Sequence, residues 1–189
     1  SGIKRNEATT RISGTLVSMS NSSHASLLDI ASVLKASTTI SGEVVLSKLL
    51  SLLMNIVIEN AGAQRGFLLL DRKGALFIEA QVETNNATTE VRHIPFAKSG
   101  LLAESVVAYV SRTKESIVLD DALTDTRFHT DTYIKKQKPI SVLCLPIIHL
   151  GNFIGVLYLE NNLVRGAFTE NRIRLLQLLS GQIAVSINN

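Results

Sequence analysis

The sequence predicts an α+β fold, with a central antiparallel sheet of about six strands covered by helices on both faces. Three observations carry this. Residues 139–161, PISVLCLPIIHLGNFIGVLYLEN, hold two apolar runs, 142–148 and 153–159, around a Leu150-Gly151-Asn152 turn, the pattern of a hairpin. Both runs are apolar at every other position in either phase, so the hairpin belongs mid-sheet with a layer above and below. The element order along the chain is helix, helix, hairpin, strand, helix, strand, loop, hairpin, helix, which favours hairpin pairing over parallel crossovers.

The elements follow in order. Residues 1–26 are rich in Ser, Thr and Asn and poor in large apolar side chains, as in a linker or flexible arm; the folded domain is expected over 27–189. Leu27, Ile30 or Ala31, and Leu34 share one helical stripe. A second helix is expected over 43–61, with Ser41 as N-cap, Glu43 in the positive first turn and Gly62 as a left-handed C-terminal cap. Its apolar residues cover most of the circumference, so it is expected to be buried on more than one side. A strand over 66–71, a turn at Asp71-Arg72-Lys73-Gly74 and a strand over 75–82 form the first hairpin. A polar loop leads to a short strand over 91–94. Ser99 is placed to cap a helix over 101–110, and 116–119 forms another short strand. An irregular Asp- and Thr-rich loop, 120–128, precedes a short helix over 131–136 and the closing hairpin. The last helix starts from Thr169 as N-cap, with Phe168 and Ile173 as a hydrophobic staple. It carries two apolar stripes: Leu176, Leu179, Ile183 and Ile187, and a second of Leu175, Leu178, Gln182 and Val185. A sheet covers only one of them, so the second invites a partner helix. No Gly or Pro terminates this helix before Asn189, as in a segment of a longer chain.

Composition narrows the function classes. Of 189 residues, 46% are hydrophobic and 19% charged, and the net charge is only +3. One basic cluster, Lys135, Lys136 and Lys138, has no aromatics among it and reads as a solvated helix end rather than a nucleic-acid footprint. Cys144 is the single cysteine, which rules out an internal disulfide and fits a cytoplasmic setting. Its place inside an apolar strand suggests a buried thiol. The apolar stretch 49–58 is broken by Ser51 and Asn55 and is too short to span a bilayer, so no membrane contact is expected. Gly62-Ala-Gln-Arg-Gly66 lacks the Lys-Ser/Thr ending of a phosphate loop. The histidines His24, His93, His129 and His149 show no metal-ligand spacing, and no nucleophile elbow is present. No catalytic constellation emerges, and an enzyme ranks last among the functions considered.

Three segments in order, VIENAGAQRGFLLL (57–70), DDALTDTRF (120–128) and the closing hairpin with its CLPI and IGVLYLEN runs, resemble GAF domains. The resemblance extends over about residues 27–188 and is similar to GAF modules of bacterial multidomain sensors, upstream of histidine kinase or nucleotide cyclase domains. It implies a sensory module that performs no chemistry itself. It also implies a ligand pocket between the sheet and a roof formed here by 99–110 and 120–133. GAF domains that attach a bilin use a cysteine near the position of Asp125-Thr-Arg-Phe128, where this chain has none, which argues against a covalent bilin. The several cysteines of GAF-type methionine sulfoxide reductases are missing. Haem has nothing in its favour. The Asn-Lys-Phe-Asp-Glu signature of cyclic-nucleotide-binding GAF domains cannot be placed.

Within the roof, two helix starts are expected to converge, at Ser99-Gly100-Leu101 and at Thr130-Asp131. Free N–H groups there attract anions, so a phosphate-bearing ligand such as a cyclic nucleotide is the first candidate. Arg127 would add a bidentate contact, Phe128 and Tyr133 would stack on a flat ring, and Thr124 and Ser141 would offer hydroxyls. The competing assignments are structural: Ser99 as a cap, Phe128 as core, Arg127 paired with Asp125. Polar side chains on the pocket face of the strands would favour a ligand. The strands read as mostly apolar, which keeps a second function in play: a homodimerisation module with a closed pocket, joined through its terminal helices.

Overall fold

The computed structural model describes residues 42–85 and 89–188, with side chains from residue 46 onward. The arm over 1–26, the helix expected from Leu27, and the Ser41 cap lie outside the described residues. The elements are α1 (Gly42–Ala61), β1 (Arg65–Arg72), β2 (Ala75–Glu83), β3 (Thr89–Pro95), α2 (Glu104–Thr113), β4 (Ile117–Leu119), α3 (Thr132–Gln137), β5 (Ser141–His149), β6 (Asn152–Asn161) and α4 (Glu170–Asn188). The compact unit Leu46–Asn189 holds the sheet and the helices packed on it.

The six strands run in the order β3-β2-β1-β6-β5-β4. Every pairing is antiparallel. The closing hairpin therefore sits mid-sheet, as its two-sided apolar pattern requires. Its turn is the two-residue Leu150-Gly151, both with positive φ (49° and 78°), a form that suits the twist of the strands. β3 and β4 form the two edges, and β4 is only three residues long.

Side chains alternate between two cores. Phe67, Leu69, Ile78, Val142, Cys144, Val156 and Tyr158 pack beneath α2 and α3, against Val106, Val107, Val110 and Ile134. The intervening residues Leu143, Leu145, Leu157 and Leu159 are fully buried on the opposite face, where α4 packs along β5. Met54 of α1 reaches Gly66 and Leu159 on that face. Two close approaches depend on glycine. A Cβ at Gly155 would lie 1.9 Å from the Leu69 carbonyl oxygen, so any side chain there would force β1 and β6 apart. Gly62 ends α1 with φ +66°, and a Cβ would strike the Arg172 guanidinium at 2.7 Å.

The expected start of α4 and its two stripes are seen in their details. The Arg172 amide donates to Thr169 Oγ1 at 3.4 Å. Leu176, Leu179 and Ile183 are buried, while Leu178 and Val185 of the second stripe are 56% and 37% exposed. One expected boundary is wrong. The helix placed over 101–110 with Ser99 as its cap begins at Glu104, with Ala103 as an N-cap that makes no side-chain bond. The cause is backbone geometry: Gly100 has positive φ (68°) and cannot open a helix capped by Ser99, and Ala103 is extended (φ −70°, ψ 101°), which blocks a helix from 101. Ser99 Oγ only accepts a local bond from the Leu101 amide at 3.4 Å.

Candidate functional site

A cleft of about 710 Å³ opens where the β3–α2 connection, the first turns of α2 and the whole of α3 meet. Phe96, Lys98, Ser99, Gly100 and Leu102 line one side, Glu104, Ser105 and Ala108 a second, and Thr130 to Tyr133 with Lys136 and Gln137 the third. Lys98 and Lys136 are exposed at its rim.

Two helix starts do converge here, but on a group the protein supplies itself. The Asp131 carboxylate is the N-cap of α3, accepting from the Ile134 amide at 3.1 Å. Its other oxygen accepts from the Ser105 amide at 2.9 Å and the Ser105 hydroxyl at 2.5 Å. Orphan N–H groups of two helices are thereby satisfied by one side chain. The helix N–H groups at which a ligand phosphate was expected are already bonded to the Asp131 side chain.

The structure sorts the predicted site residues. Ser99, Gly100 and Tyr133 line the cleft. Leu101 packs on the core beside them, and its carbonyl accepts from Arg65 at 3.4 Å. Arg127, Phe128, Thr124 and Ser141 do not line it. Arg127 pairs with Asp125 through two bonds of 3.0 and 3.2 Å at the surface and lies over the Phe128 ring. That pairing holds the Asp125 carboxyl below its ordinary pKa, against a smaller opposing effect of burial. Phe128 is core, edge-on to Tyr109 at 5.7 Å. Thr124 donates to the Asp121 carbonyl. Ser141 is buried and ties β5 to the loop before α4, donating to the Val164 carbonyl at 2.8 Å and accepting from the Ala167 amide at 3.2 Å.

The strands also carry what their apolar composition hid. Arg65 and Glu160 are direct partners across β1 and β6. Glu160 is fully buried and accepts from the Tyr133 hydroxyl at 2.9 Å and the Tyr158 hydroxyl at 2.7 Å. Arg65 donates to the Tyr133 hydroxyl, lies 3.5 Å from Glu160 and bonds Glu83 at 3.0 Å. Burial pushes the Glu160 carboxyl above its usual pKa, while Tyr158, Arg65 and Tyr133 pull it back. Burial also opposes the charge on Arg65, but Tyr133, Glu160 and Glu83 outweigh it and keep the guanidinium raised. The available sequence signal was a charged residue in phase with inward-facing Val156 and Tyr158; nothing local showed that Arg65 would meet it.

The profile of the GAF domain family matches residues 45–187. This chain belongs to the GAF domain family. Its six-stranded antiparallel sheet with helices is the GAF-like α+β fold. Over 85 residues, 45% of the chain, it is 42% identical to hybrid signal transduction histidine kinase G of Dictyostelium discoideum; the match spans 2% of that protein's length. Its fold resembles the GAF domain of an Acinetobacter phosphoenolpyruvate-protein phosphotransferase, with a TM-score of 0.62, 20% identity, and coverage of 89% and 93% of the two chains. It also resembles a GAF domain/HD domain protein from Geobacter sulfurreducens, with a TM-score of 0.60, 11% identity, and coverage of 76% and 92%. Among the described residues of this GAF domain, no helix is long and apolar enough to cross a membrane.

Proposed function

We propose that this GAF domain is a regulatory module of a signal-transduction protein, one that takes a small molecule into the cleft and performs no chemistry of its own. The cleft carries this reading: about 710 Å³ is within the range of small-ligand sites. A cyclic nucleotide is the first candidate ligand. Phe96 and Tyr133 supply aromatic lining, and Lys98 and Lys136 offer charge to a phosphate at the rim. With Asp131 filling the helix N-termini, these lysines take over the role first sought from backbone amides. Native mass spectrometry of freshly purified protein would reveal a retained ligand by its mass. Calorimetry with cyclic AMP and cyclic GMP tests the candidate directly. Lys136→Ala is expected to weaken binding, whereas Arg127→Ala, at a residue already paired outside the cleft, is expected to leave it unchanged. Wild-type protein that binds neither nucleotide and carries no retained ligand would remove this reading.

A second reading, a homodimerisation module, is favoured by the exposed Leu178 and Val185 on α4. It predicts a dimer by light scattering with no ligand required.

A further inference from the structure

Tyr133 has two working sides. The residue lines the cleft, and its hydroxyl is held by Glu160 and Arg65 within the sheet. The second oxygen of Glu160 accepts from Tyr158, whose hydroxyl accepts in turn from the Ala103 amide at 3.3 Å, at the start of α2. One buried carboxylate thus holds α2 and α3 to β6. Its neighbour on the strand, Asn161, works on the opposite face of the sheet. Asn161 Nδ2 donates to the carbonyl of Gly62, the residue that ends α1, at 2.6 Å, and its Oδ1 accepts from the Leu163 and Val164 amides at 2.9 and 3.0 Å. The Gln64 amide donates to the Glu160 carbonyl at 2.8 Å.

We infer that Glu160 is a positioning residue, a latch through which displacement of Tyr133 at the cleft reaches the junction of α1 with β1. A fully buried carboxylate deprived of one donor must shift or admit water. Glu160 cannot shift along β6 without disturbing Asn161 and the Gln64 bond, because packed elements move as units. The trigger rests on the cleft as the input site; the latch itself needs no ligand.

Amide hydrogen exchange on the unliganded 189-residue chain tests it. Tyr133→Phe keeps the ring and removes the hydroxyl. Exchange is expected to quicken about tenfold or more over α3 and also at Gln64, Leu163 and Val164. Glu160→Gln, which retains one acceptor oxygen, should quicken the same three amides beyond the cleft. Val107→Ala is the control: it opens the buried α2 contact without touching Glu160, and should quicken α2 while sparing Gln64, Leu163 and Val164. The latch is overturned if Tyr133→Phe acts on α3 alone, if Glu160→Gln spares Gln64, Leu163 and Val164, or if Val107→Ala quickens those three equally. Failure of cyclic nucleotide calorimetry would remove the candidate ligand and leave these exchange results standing. Failure of the exchange test would leave the cleft reading intact.

Discussion

Asp131→Ala should be among the most damaging single substitutions outside the two cores. The carboxylate receives three bonds, from the Ile134 amide, the Ser105 amide and the Ser105 hydroxyl, while being nearly buried. Loss of an N-cap acceptor costs about 0.5–2 kcal/mol. Leaving the Ser105 amide stranded in the first turn of α2 adds roughly 1–3 kcal/mol. Together these give an expected loss of about 2–4 kcal/mol, or a fall in melting temperature of about 5–15 °C for a domain of this size. Asp131→Asn keeps one carbonyl oxygen but points an N–H₂ at a second donor, so it should fall between wild type and Asp131→Ala. Ser105→Ala removes one of the three donors. Because the residues share bonds, Asp131→Ala with Ser105→Ala should cost less than the two singly, by a coupling of about 0.5–3 kcal/mol. Urea unfolding with a constant m-value would measure all four variants. A loss below about 1 kcal/mol for Asp131→Ala, or strict additivity in the cycle, would refute the claim that one side chain braces two helices.

Four shorter predictions follow from the same structure. Cys144 is fully buried and burial pushes its thiol pKa up, so thiol reagents should label it only after denaturation; stoichiometric labelling of native protein would contradict its placement. Lys138 ends α3 in a left-handed conformation with φ 51°, where glycine is at ease, so Lys138→Gly should raise the unfolding free energy in urea by about 0.5–1 kcal/mol. Glu160 titrates higher folded than unfolded, so its contribution to stability is full below the unfolded pKa and is lost as pH rises through the folded one; Glu160→Gln should flatten that decline in urea titrations carried upward from the ordinary carboxylate range. Leu178→Glu, at a mostly exposed position, should change stability by about 0.5 kcal/mol or less; light scattering on wild type and variant then reports whether that stripe mediates association.

Local chemistry was readable where it acts over a few residues. The turn around Leu150-Gly151-Asn152, the Thr169 cap, the Gly62 terminator and the two-sided apolar character of β5 and β6 all declare themselves within one turn or one strand. The start of α2 did not, because an extended Ala103 leaves no mark in a residue type that favours helices. The site was less legible than the fold for a related reason. Arg65 and Glu160 meet only because β1 pairs with β6, and Asp131 reaches Ser105 only because α2 and α3 start at the same place. Register and helix placement are tertiary facts. Arg127 and Phe128 drew attention by type, yet a nearby carboxylate and a core position absorbed them.

The two sheet edges bear on how copies of this domain can meet. An open strand is a template for another chain, and an unguarded one invites polymerisation. β4 offers a newcomer only Ile117–Leu119, too little for a durable ladder. β3 is longer, but it carries Glu90, Arg92 and His93 and ends at Pro95, which cannot donate to an added strand. Growth of the sheet from molecule to molecule is thus blocked at one side by brevity and at the other by charge and proline. A domain held at high local concentration within a larger assembly can tolerate crowding with its own kind without fibrous stacking.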